Sequence, residues 1–227
     1  MIVSHARRFI FFHNPKCAGT SFRDALGPYH DDPFTFWGIF AAPYFRNALD
    51  HTHIRLWELQ QLFPRIFACT ETYASAIFVR NPWERFLSAV DEHFKKFQPQ
   101  VPLRDLTPAD QVRVVEQFVE QLLNVGNITT RWQLVHFSPQ LWQILIGERI
   151  VPRAIIPMIE GEDYFGRAFA GLGVPGVQVP WHNRSPGRLL HLLESPKVDG
   201  FVREFYALDL AFFEGRADLA ALARKLA

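Results

Sequence analysis

The residues best able to do chemistry in this chain lie in the run Phe11-Phe12-His13-Asn14-Pro15-Lys16-Cys17-Ala18-Gly19-Thr20-Ser21-Phe22. Lys16 offers a point charge, and Thr20 and Ser21 offer hydroxyl donors. These are groups that hold a phosphate-like anion, and the apolar residues around them say how they are presented. Phe9 to Phe12 reads as a buried strand that breaks at Asn14-Pro15, and a helix-like pattern resumes at Thr20. A strand, a tight loop and a helix start aim backbone N–H groups and the positive end of a helix dipole at one anion. The order is not that of the common nucleotide loop, in which the lysine follows the second glycine and a hydroxyl holds Mg²⁺. Here Lys16 precedes Gly19. Taken alone, the run also fits an ordinary strand-to-helix turn with an exposed lysine.

A second element of the same kind follows at Ala76-Ile77-Phe78-Val79-Arg80-Asn81-Pro82-Trp83-Glu84-Arg85-Phe86-Leu87-Ser88. It reads as an apolar strand, a breaker and an amphipathic helix, with Pro82 suited to the first helical turn. Arg80 falls where the strand ends, and open α/β sheets bind ligands outside the carboxyl ends of their strands. Ser88 comes about two helical turns later, facing back over the helix start. An arginine fork and a hydroxyl can share one phosphate.

The two elements together resemble the sulfotransferases that use 3′-phosphoadenosine 5′-phosphosulfate. The likeness is to the carbohydrate, heparan 2-O-sulfotransferase-like branch and its bacterial relatives. Residues Lys16, Cys17, Ala18, Gly19, Thr20 and Ser21 look like that family's 5′-phosphosulfate loop, and Arg80 and Ser88 look like its 3′-phosphate element. Weaker matches follow in family order: Ser138-Pro139-Gln140, Ile159-Glu160, Pro180-Trp181-His182-Asn183-Arg184-Ser185, and Val202 through Tyr206 to Asp209. Trp181 departs from the pattern, since relatives often carry histidine there. The resemblance implies a P-loop-like, three-layer α/β domain with a central parallel sheet flanked by helices. It also implies transfer of a sulfuryl group from that donor to a hydroxyl, a carbohydrate's by analogy with the branch, without a metal.

Sulfuryl transfer needs a base for the acceptor proton and positive charge at the bridging oxygen of the leaving nucleotide, with both in line. Lys16 is the leaving-group candidate. His51-Thr52-His53 supplies candidates for the base, because histidine titrates near neutrality. In the branch this chain resembles, a histidine opens a helix-like stretch ahead of the 3′-phosphate strand. His53, just before Ile54-Arg55-Leu56, matches that position best; His51 is the alternative, expected to support it or to face solvent. His13 reads as packing beneath the loop, His136 and His182 as ordinary loop histidines, and Glu160 as structural. The nine histidines and two cysteines contain no CxxC and no HExxH pattern, so no metal site is expected.

Two other readings compete. One is a P-loop-type nucleotide or small-molecule kinase, which strict metal dependence would favour. The other is a catalytically silent nucleotide-binding module, against which Lys16 and His53 both speak.

The elements that must position these groups can be read from pattern. Strands are expected at Phe9–His13, Ser75–Arg80 and Ala154–Ile159. Helices are expected near 20–26, 54–63 (stopped by Pro64), 83–97, 108–124, 163–172, 198–213 and 217–226. Thr107-Pro108 reads as an N-cap followed by proline at the first helical position. Residues 27–47 read as a long loop or broken elements. Strands alternating with helices argue for a parallel sheet covered on both faces. A length of 227 residues suits one domain, 1–227, and 24 basic against 23 acidic residues leaves no charge excess that would suggest nucleic acid as a partner. No apolar run is long enough to span a bilayer. The loop lies near the first residue, no signal-peptide pattern precedes it, and only two cysteines occur. The expectation is therefore a cytoplasmic enzyme without anchor or stem, with the oligomeric state left open.

Overall fold

The fold is taken from a computed structural model that describes residues 1–42, 47–179 and 189–226. The first half carries β1 (Ile2–Ser4), β2 (Phe9–Phe12), α1 (Gly19–Leu26), α2 (Pro33–Phe36), β3 (Ile39–Ala42), β4 (Asn47–Asp50), α3 (Leu56–Leu62), α4 (Pro64–Cys69), β5 (Ala74–Val79) and α5 (Pro82–Phe97). The second half carries α6 (Pro108–Leu122), α7 (Val125–Thr130), β6 (Leu145–Ile146), β7 (Arg149–Ile150), β8 (Ala154–Pro157), α8 (Tyr164–Gly171), α9 (Pro196–Phe205), α10 (Ala207–Phe213) and α11 (Leu219–Leu226).

The central sheet has the order β1-β2-β5-β8. β2, β5 and β8 run parallel, with Phe12 opposite Ile77 and Ile77 opposite Ile155, so the loops after β2 and β5 leave from the same edge of the sheet. The strands read as unbroken apolar runs because both faces are covered. Alternate residues feed different cores. Val3, Ile10, Phe12, Ile77 and Val79 pack under α3, α4 and α11, while Ile2, Phe9, Phe11, Ala76 and Phe78 pack under α1 and α8. A third core joins α5, α6 and α9 through Phe86, Val90, Val115, Phe118, Val198 and Phe201. No helix among the described residues is long and apolar enough to cross a membrane.

Several expectations change. The sheet is only mostly parallel, because Ile2–Ser4 adds an antiparallel edge strand that a three-residue run could not announce. Residues 27–42 hold short helical turns and β3, which pairs antiparallel with β4 so that Asp50 lies opposite Ile39. Pro64 does not merely stop a helix: it opens the next one at its first position, where a missing N–H costs nothing. The capping expectation at α6 holds, with Thr107 Oγ1 accepting from the Asp110 amide at 3.2 Å. The segment Pro180–Ser185 lies outside the described residues.

Candidate active site

The loop after β2 is tied down before it turns. Asn14 Nδ2 donates to Phe78 O and to Gln140 Oε1, each at 3.0 Å, which fastens it to β5. Lys16 and Ala18 then take left-handed backbone, with φ of 64° and 53°. Each costs on the order of 1 kcal/mol for a residue with a Cβ, and such strain persists where the surroundings over-determine it, commonly at ligand clamps. Ala18 is the N-cap of α1 and offers no side-chain cap, and the first turn holds no acidic residue. The opening N–H groups of α1 are thus left without a capping side chain, as an anion site requires. Thr20 is exposed at this end, whereas Ser21 is buried. The Cys17 thiol faces the core, and burial pushes its pKa up to about 12, so it can serve the loop only through its backbone.

Arg80 leaves the end of β5 with its backbone clamped. The Gln140 amide accepts from Arg80 N and donates to Arg80 O, both at 2.8 Å. Gln140 is held in turn by Asp209, whose carboxylate accepts from the amides of Gln140 at 2.7 Å and Leu141 at 3.1 Å. The Arg80 guanidinium bonds Glu84 at 3.0 Å and reaches Lys16 O at 3.4 Å. Lys16 Nζ lies 3.8 Å from Glu92, which also pairs with Lys96. Residues 84, 88, 92 and 96 are four apart, so they form one stripe along α5, and Arg80, two residues before the helix, meets the head of that stripe through Glu84. Ser88 therefore sits between the two carboxylates that engage Arg80 and Lys16, and the structure brings both sequence elements to one stripe. Burial lowers the Lys16 pKa, with Glu92 opposing that shift. The Arg80–Glu84 pair has a half-exposed partner and is worth at most about 1 kcal/mol, so a phosphate can displace it.

The histidines converge beside the loop. His53 ends the 3-10 turn His51–His53 that follows β4. Asp50 caps this turn: Oδ1 accepts from the Thr52 amide at 2.9 Å, and Oδ2 accepts from His53 Nδ1 at 2.7 Å. With Nδ1 committed as a donor, Nε2 is the nitrogen left to act as a base. Burial pushes the Asp50 carboxyl up, but His53 and the hydrogen bonds from His53 and Thr52 prevail and hold it well below the usual carboxylate range. The His13 ring lies 4.5 Å from that of His53, and the His136 ring meets His53 edge-to-face at 5.0 Å. Burial, reinforced by His53, holds both neighbours well below the ordinary imidazole range, so both are neutral.

His13 packs against the loop, as expected. A methyl group at Gly19 would stand 1.4 Å from His13 Nε2, so the glycine is there for the close approach of that ring. His51 is buried rather than solvent-facing; its Nδ1 donates to Thr35 O at 3.0 Å and its ring packs on Phe40 and Phe63, which makes it a support. His136 is not an ordinary loop histidine. It is delivered by the 3-10 helix Trp132–Phe137, which the fully buried Arg85 fixes by donating to His136 O at 3.0 Å and Ser138 O at 2.8 Å. Tyr206 adds a bond from its hydroxyl to Phe137 O at 2.8 Å. Glu160 is exposed just past the end of β8. Sequence reasoning missed Asp50, and it named Gln140 only within a family-like run, without a role. The Asp-x-Thr spacing at Asp50 was a readable cap signal; nothing local pointed to Gln140 as the clamp on Arg80.

Among the described residues, one set of three can hold a metal ion: Asp50, His53 and His136, with one ligand atom from each all within 4.8 Å of one another. The 2.7 Å between Asp50 Oδ2 and His53 Nδ1 is, however, the spacing of a hydrogen bond carrying a proton. The arrangement therefore offers an anion cradle from Lys16, the start of α1, Arg80 and Ser88, next to a carboxylate-oriented imidazole.

The family model described as "Sulfotransferase family" matches residues 1–160, well over half of the 227-residue chain and inclusive of every group in this cradle and its histidine cluster. No curated protein and no solved structure matches the chain.

Proposed function

The chain belongs to the sulfotransferase family, and we propose that it moves the sulfuryl group of 3′-phosphoadenosine 5′-phosphosulfate to an acceptor hydroxyl in line. The observation that carries this reading is the single stripe of α5 that holds Ser88 between Glu84, the partner of Arg80, and Glu92, the partner of Lys16, together with the Asp50–His53 pair. The start of α1 and the loop backbone bind the 5′-phosphosulfate. Arg80 and Ser88 bind the 3′-phosphate, and Lys16 faces the bridging oxygen that gains charge as the S–O bond breaks. His53 Nε2 takes the acceptor proton, and Asp50 stabilises the imidazolium that forms. His136 and His13 stay neutral beside it, so neither competes with His53 for the acceptor proton.

The finer points of this reading are a P-loop-like domain over residues 1–227, a carbohydrate acceptor, chemistry without a metal, and a cytoplasmic setting. Support for one domain comes from the C-terminal helices: Leu222 and Ala223 of α11 share a core with Val3 and Ile10, and Asp209 of α10 clamps Gln140. The kinase reading is disfavoured by the order of the loop, in which Lys16 precedes Gly19, whereas the nucleotide loop carries its lysine after the second glycine.

A thermal-shift titration tests the donor. 3′-Phosphoadenosine 5′-phosphate at micromolar to millimolar concentration raises Tm by linkage, and ATP with Mg²⁺ does so much less, because ATP has no second phosphate for Arg80 and Ser88. Equal shifts from the two nucleotides would remove the reading.

A further inference from the structure

The base and the 3′-phosphate arginine are held by one buried turn. The 3-10 helix Gln140–Gln143 begins and ends on a glutamine, and these are 3 % and 2 % exposed. Residues three apart eclipse one another in such a helix, so both amides leave the same face. The Gln140 amide clamps Arg80 on both sides of its backbone. Its oxygen also accepts from Asn14 Nδ2 at 3.0 Å and from the Cys17 thiol at 3.7 Å, both in the loop after β2. The Gln143 amide reaches the other half of the site, where Nε2 donates to His53 O at 3.0 Å across 90 positions of sequence. That carbonyl ends the 3-10 turn His51–His53, and the last C=O groups of a helical turn have no partner within it.

The bond to His53, rather than packing, accounts for an amide at position 143. Gln143 Oε1 is buried and has no partner among the described residues. A buried amide oxygen left unpaired loses its hydration with nothing in its place, so a methionine or leucine would pack there at less cost. The donor half of the amide is what the site uses. The chain that follows the base is tied to the same region a second time, by Arg55 Nε donating to Ser138 Oγ at 3.2 Å. His53 thus has its ring fixed by Asp50 and its backbone fixed by Gln143, with Ser138 holding the residue two further on. The head of the turn is fixed by buried Asp209, whose carboxylate accepts from the Gln140 and Leu141 amides. One element, capped at one point, sets the positions of Arg80 and His53 relative to each other.

Resting on the sulfuryl-transfer reading above, we propose that Gln143 is a positioning residue for the base, and that the turn Gln140–Gln143, capped by Asp209, keeps donor and base in register for in-line attack. Gln140 sets the donor side through Arg80 and the loop, and Gln143 sets the base side through His53 O. Register of this kind governs rate, because misplacing a reacting group by about 1 Å commonly costs on the order of a hundredfold. Gln143 acts through His53 and brings no group of its own to the reaction.

Gln143→Met keeps the length of the side chain and removes its donor; Gln143→Leu, a second apolar replacement, should behave alike. On the full chain, turnover is followed as 3′-phosphoadenosine 5′-phosphate released with the best acceptor of a hydroxyl panel, and affinity for that nucleotide by calorimetry. We expect kcat to fall by about tenfold or more, with the nucleotide Kd changed less than twofold. Added to His53→Ala, Gln143→Met should change kcat less than twofold further, because its route to the reaction is already gone. Asp209→Asn disturbs the cap and should worsen both quantities, each by about threefold or more. An unchanged kcat in both Gln143 variants, a full loss added to that of His53→Ala, or an Asp209→Asn effect confined to one quantity overturns the proposal. Histidine-selective ¹⁵N NMR separates this proposal from the reading beneath it. The His53 ring signals, identified by their loss in His53→Ala, should shift in Gln143→Met. That shift in a protein whose parent binds no nucleotide would keep the clamp and remove the sulfotransferase reading. Nucleotide binding and turnover without the shift would do the reverse.

Discussion

Gly19→Ala is the perturbation whose consequence follows most directly from the geometry. The added Cβ would meet His13 Nε2 at 1.4 Å, far inside any van der Waals contact, so the imidazole must leave its place. The ring is hemmed in, lying 4.5 Å from the His53 ring. Overpacking of this kind costs roughly 1–3 kcal/mol. Alanine returns at most about 0.5–1 kcal/mol through its better helical propensity, and less in the first turn. The net is a loss of about 1–2 kcal/mol, which for a chain of this size lowers Tm by roughly 2–8 °C. Because the displaced ring is pressed towards His53, kcat should fall on the order of a hundredfold, as misplacement by about 1 Å commonly does. A double-mutant cycle with His13→Ala, followed by chemical denaturation, isolates the cause. Removing the imidazole should cancel the cost of the new methyl, giving a coupling of about 1–2 kcal/mol. A Gly19→Ala protein as stable as the parent, or a cycle with no coupling, would refute the reasoning that space rather than backbone freedom requires this glycine.

Three further outcomes are expected. Lys16→Ala should cut kcat about a hundredfold, while Arg80→Ala should chiefly raise donor KM, since it holds a phosphate that does not react; steady-state kinetics of the two variants separates these roles, and a pure kcat loss in Arg80→Ala would reverse them. His53→Ala should lose about a hundredfold or more in kcat with donor Kd intact, and His51→Ala much less. Asp50→Asn should approach the His53→Ala loss, because an amide facing Nδ1 favours the wrong tautomer, and a pH–rate profile unchanged from the parent would exclude Asp50 from that role. Stability should fall as pH drops from about 6.5 towards 4. His93, lowered by burial to about 4, binds a proton more readily in the unfolded chain across this window, and the depressed His13 and His136 act in the same direction. Denaturation curves at several pH values check the slope, and His93→Phe, which preserves stacking on Phe118, should flatten it.

The sequence by itself determined the parts whose physics is local. Two apolar runs, each followed by a breaker and an amphipathic helix, announced both strand–turn–helix elements, because a strand, a turn and a helix start within about a dozen residues leave few other ways to pair the backbone. The fourfold spacing of Glu84, Ser88 and Glu92 along α5 likewise needs only helical geometry. Even there, the left-handed backbone at Lys16 and Ala18, neither of them glycine, was illegible, because the surroundings impose it. Tertiary structure alone decided the rest. His136 reaches His53 from 83 residues away only because Arg85 and Tyr206 hold its 3-10 helix by backbone carbonyls, which leave no mark on side-chain pattern. Gln140 clamps Arg80 across 60 positions, and Asp209 clamps Gln140 across 69, through amides whose partners any glutamine or aspartate could have found elsewhere. A histidine's role as base, neighbour or support depends on which rings and carboxylates the packed chain sets around it, and that surrounding is a property of the fold rather than of the residue.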